Sequence, residues 1–327
     1  MKAIVRTRYG PPDVLQFTEI EKPAPKHNGV LISIFAAALN PLDRFHLRGA
    51  PWNRGIPGLS TPKQPVIGCD IAGRVEAAGK DATQFQPGDA VFGVTGLAGG
   101  AFAEYVCAPE AKLARKPVNI SFEAAAAVPI AALTALQGLR DYGRIQPGQK
   151  VLIDGASGGV GTFAIQIAKS LGAEVTAVCS TRNLDMVRQI GADHIINYTQ
   201  ENFTKNGQRY DLIIAVNGNY GLLDYRRALS PNGIYVAVGG SIPQVIQGLL
   251  MGPLVSKIGS KKMGFMGITQ INHQDLVVMS EYLAAGKVVP VIDRRYPLDE
   301  TAEALRYLEK GHAKGKVVIT VEHDNKT

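Results

Sequence analysis

Cysteine is scarce in this sequence, which has three in 327 residues: Cys69, Cys107 and Cys179. An odd number of widely spaced cysteines argues against a framework of disulfide bonds and fits a reducing compartment. We therefore expect a cytoplasmic location.

Long hydrophobic runs are also missing. The longest apolar stretch, residues 245–255, is interrupted by Gln247, two glycines and Pro253, so it is too short and too broken to span a bilayer. The N-terminal segment MKAIVRTRYG has no apolar core of the kind found in signal peptides. The sequence therefore predicts no transmembrane segment.

No long basic run is present, although the chain carries a net charge of +7 from 35 Lys and Arg against 28 Asp and Glu. The basic residues are scattered and do not alternate with aromatic residues, so they indicate a solvated basic surface and disfavour a nucleic-acid groove. Nucleic acid is not an expected partner.

The pattern of the chain changes twice along its length. Before about residue 121, short apolar runs such as Val30–Phe35 are broken by Gly and Pro, which is typical of an all-β sandwich or a partly open barrel. The segment Ser121–Ala127 predicts the start of a helix. From residue 150, strands alternate with helical segments, which predicts βαβ units and a parallel sheet.

A chain of 327 residues is too long for one compact core, so we expect two domains. The final predicted strand, Lys316–Val321, has no obvious partner in the second half and is assigned to the first domain. The predicted domains are residues 1–122 with 292–327, and residues 123–291. The predicted fold class is α/β, with a doubly wound second domain.

Four glycines lie in the stretch DGASGGVG, Asp154–Gly161, between a short apolar strand and a helical segment. The stretch matches the pattern G-x-G-x-x-G with Ala156 at the first glycine position. Glycines at this point let the backbone approach a pyrophosphate, whose charge meets the amides at the helix N-terminus. The alternative is a turn that needs its glycines for packing alone. We predict dinucleotide binding here, at Ser157, Gly158, Gly159 and Val160.

Acidic residues are absent where an NAD enzyme needs one. The second strand of the alternating region ends in Ser180, Thr181 and Arg182, and no Asp or Glu occurs in residues 175–184. A carboxylate here would accept a hydrogen bond from the ribose 2′-hydroxyl of NAD. A guanidinium with two hydroxyls instead suits a 2′-phosphate, which predicts NADPH. In the alternative interpretation, Arg182 is a surface residue that opens a helix.

Eight short motifs follow one another along the whole chain: Ala38–Asp43, Gly68–Gly73, Gln86–Val91, Gly99–Tyr105, Ala131–Leu136, Gly155–Gly161, Ile195–Tyr198 and Gly311–Lys316. Together they resemble the zinc-independent quinone oxidoreductase branch of the medium-chain dehydrogenase/reductase superfamily, including its NADPH:quinone reductases and chloroplast-envelope quinone oxidoreductase-like proteins. The resemblance implies a GroES-like catalytic domain of β-barrel type and a Rossmann NADP(H)-binding domain, with the cofactor in the cleft between them.

Zinc is not expected, although the superfamily includes zinc alcohol dehydrogenases. Those enzymes place a Cys ligand where this chain has Asn40, and a His followed by Glu where it has Cys69 and Asp70. A catalytic zinc needs three protein ligands, and no other His and Cys pair lies at ligand spacing along the sequence. Cys69 is most simply a small buried residue.

The resemblance also implies roles for residues around the nicotinamide. Asn40 and Thr134 are placed beside the ring, and Asn40 can polarise a carbonyl because it donates a hydrogen bond without titrating. Asp43 is expected to orient the Asn40 loop; the alternative is an Asp that caps a turn. The further predicted cofactor contacts are Tyr198, Asn217, Gly239, Gly240, Ser241 and Lys316. Tyr198 is placed near the 2′-phosphate, or is an ordinary tyrosine at a strand end.

The substrate pocket is less well specified by the sequence. Its predicted residues are His46, Trp52 and Ile268. His46 is equally compatible with a surface or packing role, and Trp52 with a loop anchor. No residue stands out as a general acid.

These features predict an NADPH-dependent enzyme that transfers hydride to a quinone or another α,β-unsaturated carbonyl compound. The alternatives are a reductase of the C=C bond of enones, alkenals or haloacrylates, and a non-enzymatic NADPH-binding protein associated with RNA or a membrane surface. The family also implies a homodimer, with Lys261–Gly267 as the candidate strand at the interface.

Overall fold

The computed structural model describes residues 1–49, 62–96, 99–216, 218, 220–239, 249, 251–257 and 259–323. By their contacts the residues form two compact units. Unit 1 comprises Met1–Ile130, Ile271–Ala285 and Pro290–Thr327, and unit 2 comprises Ala131–Gln270 and Gly286–Val289.

Strands and helices alternate mainly in the middle of the chain. The strands of the described residues are β1 (Lys2–Arg6), β2 (Leu15–Glu19), β3 (Gly29–Ala38), β4 (Asp70–Ala78), β5 (Ala90–Val94), β6 (Tyr105–Pro109), β7 (Leu113–Arg115), β8 (Lys150–Asp154), β9 (Glu174–Cys179), β10 (His194–Asn197), β11 (Tyr210–Ala215), β12 (Leu229–Ala237), β13 (Lys262–Phe265), β14 (Ile292–Pro297) and β15 (Lys316–Thr320). The α-helices are α1 (Pro41–Arg48), α2 (Phe122–Ala126), α3 (Pro129–Gln137), α4 (Gly159–Ser170), α5 (Leu184–Gln189), α6 (Leu222–Ala228), α7 (Gly252–Ser256), α8 (His273–Ala284) and α9 (Thr301–Glu309).

Unit 1 is built on a seven-stranded sheet with the order β14-β15-β3-β4-β5-β7, and β6 also pairs with β3. All of its pairs are antiparallel except β14 with β15. The alternating apolar side chains of these strands meet in one core that includes Ile32, Ile71 and Phe102. The last strand, β15, pairs with β3, which confirms that the end of the chain returns to the first domain.

The register of this sheet brings three chain segments to one edge. Ala38, the last residue of β3, lies opposite Asp70 of β4 on one side and Val318 of β15 on the other. Residues that follow β3 therefore lie beside the start of β4 and the start of β15. Helix α1 begins at the same place, immediately after Asn40.

Unit 2 contains a six-stranded sheet with the order β10-β9-β8-β11-β12-β13, in which every pair is parallel. Counted from the first strand of the unit, this is the order 3-2-1-4-5-6 of the dinucleotide-binding fold. The strand order reverses between β8 and β11, and ligands of such sheets bind at the carboxyl ends of the strands at this point. The predicted parallel, doubly wound sheet is confirmed.

The predicted domain boundaries differ from the two compact units. Residues 123–130 and 271–285 were assigned to the Rossmann domain but pack with unit 1. Helix α8 lies against β7, where His273 Nδ1 is 2.7 Å from Leu113 O and Ser280 Oγ donates to Arg115 O at 2.9 Å. A helical pattern predicts an apolar face but not the sheet that covers it. The sequence therefore did not predict that these two segments pack with unit 1.

Among the described residues, no helix has the length and apolar character needed to cross a bilayer.

Candidate active site

The glycine-rich stretch forms the turn between β8 and α4. Gly158 is the N-cap of α4 and has extended backbone. The amide end of α4 follows the carboxyl end of β8 after the turn of residues 155–158. A Cβ on Gly161 would lie 2.3 Å from Gly155 O, so this glycine is required for close packing of helix on turn. A Cβ on Gly158 would meet only Gly155 O at 3.6 Å, which leaves its backbone open to a ligand.

A group of hydroxyls and an amide lies beside this turn. Asn183 Nδ2 donates to Ser157 Oγ at 2.9 Å and to Ser180 Oγ at 3.2 Å. Asn183 is 4% exposed, and its Oδ1 has no hydrogen-bond partner among the described residues. A buried acceptor without a donor is unfavourable by about 1–3 kcal/mol, so this position suits a ligand that brings a hydroxyl or an amine.

A second polar group joins the carboxyl ends of β9 and β10. Asn197 Nδ2 donates to Thr181 Oγ1 at 2.8 Å, and Thr199 Oγ1 donates to Asn197 Oδ1 at 2.9 Å. Thr181 and Thr199 hydroxyls are 3.2 Å apart. Tyr198 lies between these residues in the sequence and is 54% exposed.

The donors at this edge fit NADPH better than NAD. Arg182 is exposed on the short turn after β9. The first acid after that strand, Asp185, is exposed on α5 and pairs with Arg188 at 3.2 Å. Sequence reasoning missed Asn183, Asn197 and Thr199. The sequence did signal their place at the sheet edge, because polar residues that follow neighbouring parallel strands meet there, but it did not signal their hydrogen bonds.

Thr134 lies on α3 in unit 2. Its Oγ1 is 2.6 Å from Thr269 Oγ1, and the side chain of the next polar residue of the helix, Gln137, donates to Gln270 O at 2.7 Å and accepts from Gln270 N at 3.0 Å. These bonds fix the segment that carries Ile268, which is 72% exposed. Thr134 and the predicted pocket residue Ile268 are therefore close in unit 2.

Asn40 lies in a buried polar network of unit 1. Its Nδ2 donates to Asp70 Oδ2 at 2.9 Å, and its Oδ1 accepts from Lys316 Nζ at 2.8 Å. Lys316 Nζ also lies 3.3 Å from Asp70 Oδ2, and Asp70 Oδ1 accepts from Ile130 N at 3.1 Å. All three side chains are at most 3% exposed. Lys316 was predicted as a cofactor contact, and the structure places it in this network with Asn40; the contact itself stays a prediction.

Asp43 fixes the loop that carries Asn40. Its Oδ2 accepts from Asn40 N at 2.7 Å across the first turn of α1, so the predicted positioning role and the capping role describe the same hydrogen bond. Burial raises the pKa of Asp43 to about 7, and the charge of Asp70 adds to this. The Asn40 amide, the Lys316 charge and the Gly68 amide lower it by less. Burial also raises the pKa of Asp70 against the opposing effects of Lys316 and Asn40.

His46 and Cys69 lie beside Asp43. One ligand atom from each of these three side chains lies within 4.8 Å of the others. Burial, and then the charge of Arg6, lowers the pKa of His46, and burial raises the pKa of the Cys69 thiol. The fold brings these side chains together, although His46 and Cys69 are far apart along the chain.

Four predicted site residues lie outside the described residues: Trp52, Asn217, Gly240 and Ser241. Gly239, predicted beside the nicotinamide carboxamide, is described; it follows β12 and is half-buried.

Two family models match this chain. The family described as alcohol dehydrogenase GroES-like domain matches residues 26–118, and the family described as zinc-binding dehydrogenase matches residues 190–319. The chain is 35% identical to a 2-methylene-furan-3-one reductase of Solanum lycopersicum and 34% identical to a chloroplastic NADPH-dependent alkenal/one oxidoreductase of Arabidopsis thaliana. Each match covers 98% of this chain and 79% of the relative.

A solved structure agrees with these sequence relatives. The quinone oxidoreductase from Coxiella burnetii superposes with a TM-score of 0.85 at 31% identity, covering 98% of this chain and 99% of that one. The GroES-like and Rossmann parts of the predicted fold class are thereby confirmed.

Proposed function

Since the chain belongs to the medium-chain dehydrogenase/reductase superfamily, in the group that contains quinone oxidoreductases, we propose that it is an NADPH-dependent reductase of quinones or other α,β-unsaturated carbonyl compounds. The observation that carries this proposal is the edge of the unit 2 sheet at β8, β9 and β10. It presents a helix N-terminus, several hydroxyls and an exposed Arg182, with no acid in residues 175–184.

The bound NADPH would supply the hydride, and this chain would bind and orient it. We assign the pyrophosphate to Ser157, Gly158, Gly159 and Val160, because amides at a helix N-terminus attract anions. We assign the 2′-phosphate to Ser180, Thr181, Arg182 and Tyr198. We assign the nicotinamide to Thr134, Gly239, Asn217, Gly240 and Ser241.

Asn40 is the proposed donor to the carbonyl oxygen of the acceptor, on which negative charge develops as hydride is added. Its Oδ1 accepts from the Lys316 ammonium, which polarises the amide and strengthens its N–H donors. One N–H donates to Asp70, and the other makes only a long contact of 3.5 Å with Ala38 O, which the acceptor would replace. Asp70 and Asp43 act as positioning residues, since one holds the side chain and the other the backbone amide of Asn40. His46, Trp52 and Ile268 remain the proposed pocket residues.

Reduction of a C=C bond is the second candidate function. It is favoured by the two relatives at 34–35% identity, whose names refer to 2-methylene-furan-3-one reduction and to alkenals or enones. In both reactions the donor at Asn40 faces the same developing charge, so the two candidates share one site and differ in the shape of the acceptor.

We further propose a homodimer and a cytoplasmic location. Strand β13 lies at the edge of the unit 2 sheet, and an edge strand offers unpaired backbone groups to a second copy. The cytoplasmic proposal rests on cysteine usage, whereas several relatives are named as chloroplastic or mitochondrial.

The test is the rate of NADPH oxidation with a panel of acceptors: phenanthrenequinone, benzoquinone and an α,β-unsaturated ketone, each repeated with NADH and with a chelator. Faster turnover with NADPH than with NADH, unaffected by the chelator, supports the proposal, and the best acceptor identifies the reaction. Binding of NADPH without turnover of any acceptor would instead favour a non-enzymatic role.

A further inference from the structure

A buried carboxyl lies at the point of unit 2 where the strand order reverses. Asp154 is the last residue of β8, and the turn of residues 155–158 that leads into α4 follows it directly. Across the reversal it pairs with Ala215, the last residue of β11. Ligands of parallel sheets bind at the carboxyl ends of the strands at this point. Asp154 therefore belongs to the sheet edge on which we place the dinucleotide.

One tyrosine holds this carboxyl. Tyr225 on α6 donates its hydroxyl to Asp154 Oδ2 at 2.6 Å, and both side chains are buried. Gly218, which follows β11, lies against the pair, since a Cβ on Gly218 would collide with the Tyr225 hydroxyl and lie 3.0 Å from Asp154 Oδ2. The pair thereby joins the end of β8, helix α6 and the segment after β11.

The groups that face Asp154 do not neutralise its charge. They are two tyrosines, Tyr225 and Tyr220, and burial raises the pKa of both. Tyr235 of β12 packs on Tyr225, with 4.6 Å between the ring centres. Among the described residues, no Lys, Arg or His forms an ion pair with Asp154. Burial raises the pKa of Asp154 to about 6, although the Tyr225 hydroxyl and the Gly155 amide oppose this rise.

We propose that Asp154 and Tyr225 are positioning residues of the dinucleotide site, and that they couple NADPH binding to the uptake of a proton by Asp154. The pyrophosphate assigned to the N-terminus of α4 brings negative charge to the edge at which Asp154 lies. A charged Asp154 repels this anion across a buried region that salt screens poorly, whereas a neutral Asp154 does not. The inference rests on the proposed function, since it requires that the chain binds NADPH.

The direction of the pH dependence follows from this coupling. Below about pH 6 the wild type carries a neutral Asp154, and as the pH rises through about 6 the carboxyl loses its proton and NADPH affinity falls. Asp154→Asn keeps an uncharged side chain of the same shape at every pH. Coupling between two sites typically changes affinity at least fivefold. We therefore expect the ratio of wild-type affinity to Asp154→Asn affinity to fall about fivefold or more between about pH 5.5 and pH 8.

The experiment measures the NADPH affinity of the full chain by fluorescence titration across this pH range. The proteins are the wild type, Asp154→Asn, Tyr225→Phe and Tyr210→Phe. A phosphate monoester also titrates near pH 6, so the 2′-phosphate of NADPH adds its own pH dependence, which cancels when proteins are compared with the same ligand. Tyr210→Phe is the matched control, because Tyr210 is another buried tyrosine of unit 2 but donates to Gln208 Oε1 at 2.9 Å at the start of β11.

Each variant has a distinct expected profile. In Tyr225→Phe the charged carboxylate loses its hydroxyl donor, so the midpoint of the fall in affinity should move to higher pH than in the wild type. Tyr210→Phe should keep the wild-type midpoint. Calorimetric titration near pH 6.5 in two buffers of different ionisation enthalpy should show more proton uptake on NADPH binding by the wild type than by Asp154→Asn.

Thermal unfolding identifies any variant that fails to fold. Parallel pH profiles of NADPH affinity in the wild type and Asp154→Asn would overturn the inference and leave the proposed function intact. If Asp154→Asn does not fold, Tyr225→Phe decides, and a midpoint equal to that of the wild type overturns the inference. A wild type that binds no NADPH at any pH would overturn both the inference and the proposed cofactor.

Discussion

Lys316 is a lysine with almost no exposure, and its burial is explained by its two partners, Asn40 and Asp70. Taking an ammonium and a carboxylate out of water is costly, and the cost is offset only when both are paired and hydrogen-bonded. Here Lys316 reaches both acceptors, and the remaining oxygen of Asp70 accepts from Ile130 N. The network therefore holds Asn40 in one orientation.

Replacing Lys316 by Met should lower the free energy of unfolding by about 3–5 kcal/mol, because Asp70 is left as a buried charge without the lysine's opposing charge. The double variant Lys316→Met with Asp70→Asn should recover at least half of this loss. Urea unfolding of the wild type, both single variants and the double variant measures the difference. Equal stability of Lys316→Met and the double variant would show that the charge of Asp70 does not need Lys316.

The Asp43 carboxyl makes stability depend on pH. Its pKa is raised in the folded protein to about 7, from about 3.9 in the unfolded chain. A raised carboxyl pKa adds stability that is fully present below pH 4 and is lost as pH rises through about 7. Asp43→Asn removes this dependence, so it should gain stability relative to the wild type by up to about 4 kcal/mol between pH 4 and pH 8.

Urea unfolding of both proteins across this pH range, with chelator present, measures the effect. Parallel pH profiles for the wild type and Asp43→Asn would contradict the raised pKa.

At the level of elements, the sequence predicted best where strands and turns follow strong local rules. The apolar run of β8, the glycines of the turn and the start of α4 were placed correctly, because a tight approach of helix to turn leaves room only for glycine at Gly161. The side chains that meet at the ends of β9 and β10 were only partly foreseen, since hydrogen bonds between Asn183, Asn197 and their neighbours depend on rotamers that no local pattern fixes.

Two glycine substitutions separate packing from ligand binding in this turn. Gly161→Ala should destabilise the fold by about 1–3 kcal/mol, because its Cβ meets the Gly155 carbonyl oxygen at 2.3 Å. Gly158→Ala should change stability by less than about 0.5 kcal/mol and still weaken NADPH binding. Thermal unfolding and NADPH fluorescence titration measure the two effects. Unchanged NADPH affinity in Gly158→Ala would favour a turn that needs its glycines for packing alone.

The end of β9 should decide between the two nicotinamide cofactors. Arg182→Ala removes a charge-assisted hydrogen bond worth about 1.5–3 kcal/mol, so NADPH affinity should fall about 10- to 100-fold while NADH affinity stays unchanged. Ser180→Asp should weaken NADPH further by repulsion and strengthen NADH through the ribose 2′-hydroxyl. Fluorescence titration with both cofactors provides the measurement. An equal loss for NADPH and NADH in Arg182→Ala would place the 2′-phosphate elsewhere.

For the whole molecule, the composition and the apolar pattern predicted an all-β first domain and an α/β second domain. They also predicted the return of the last strand to the first domain. They failed where distant segments meet. Helix α8 packs on β7 although it follows the Rossmann strands in sequence, and His46 approaches Cys69 although the sequence spacing showed no ligand pair. The approach of His46 to Cys69 follows from the pairing of β3 with β4, and the position of α8 follows from its side-chain bonds to β7. The apolar pattern determines neither.

The most direct test of the reductase assignment follows the hydride itself. NADPH carrying deuterium at the reactive nicotinamide carbon is incubated with the protein and an α,β-unsaturated ketone, and the product is analysed by mass spectrometry and NMR. We predict one deuterium at the β-carbon of the saturated ketone, and loss of this transfer when Asn40→Ala replaces the wild type. Bound NADPH that leaves no deuterium at the β-carbon of the ketone and is oxidised by no quinone would contradict the proposed function.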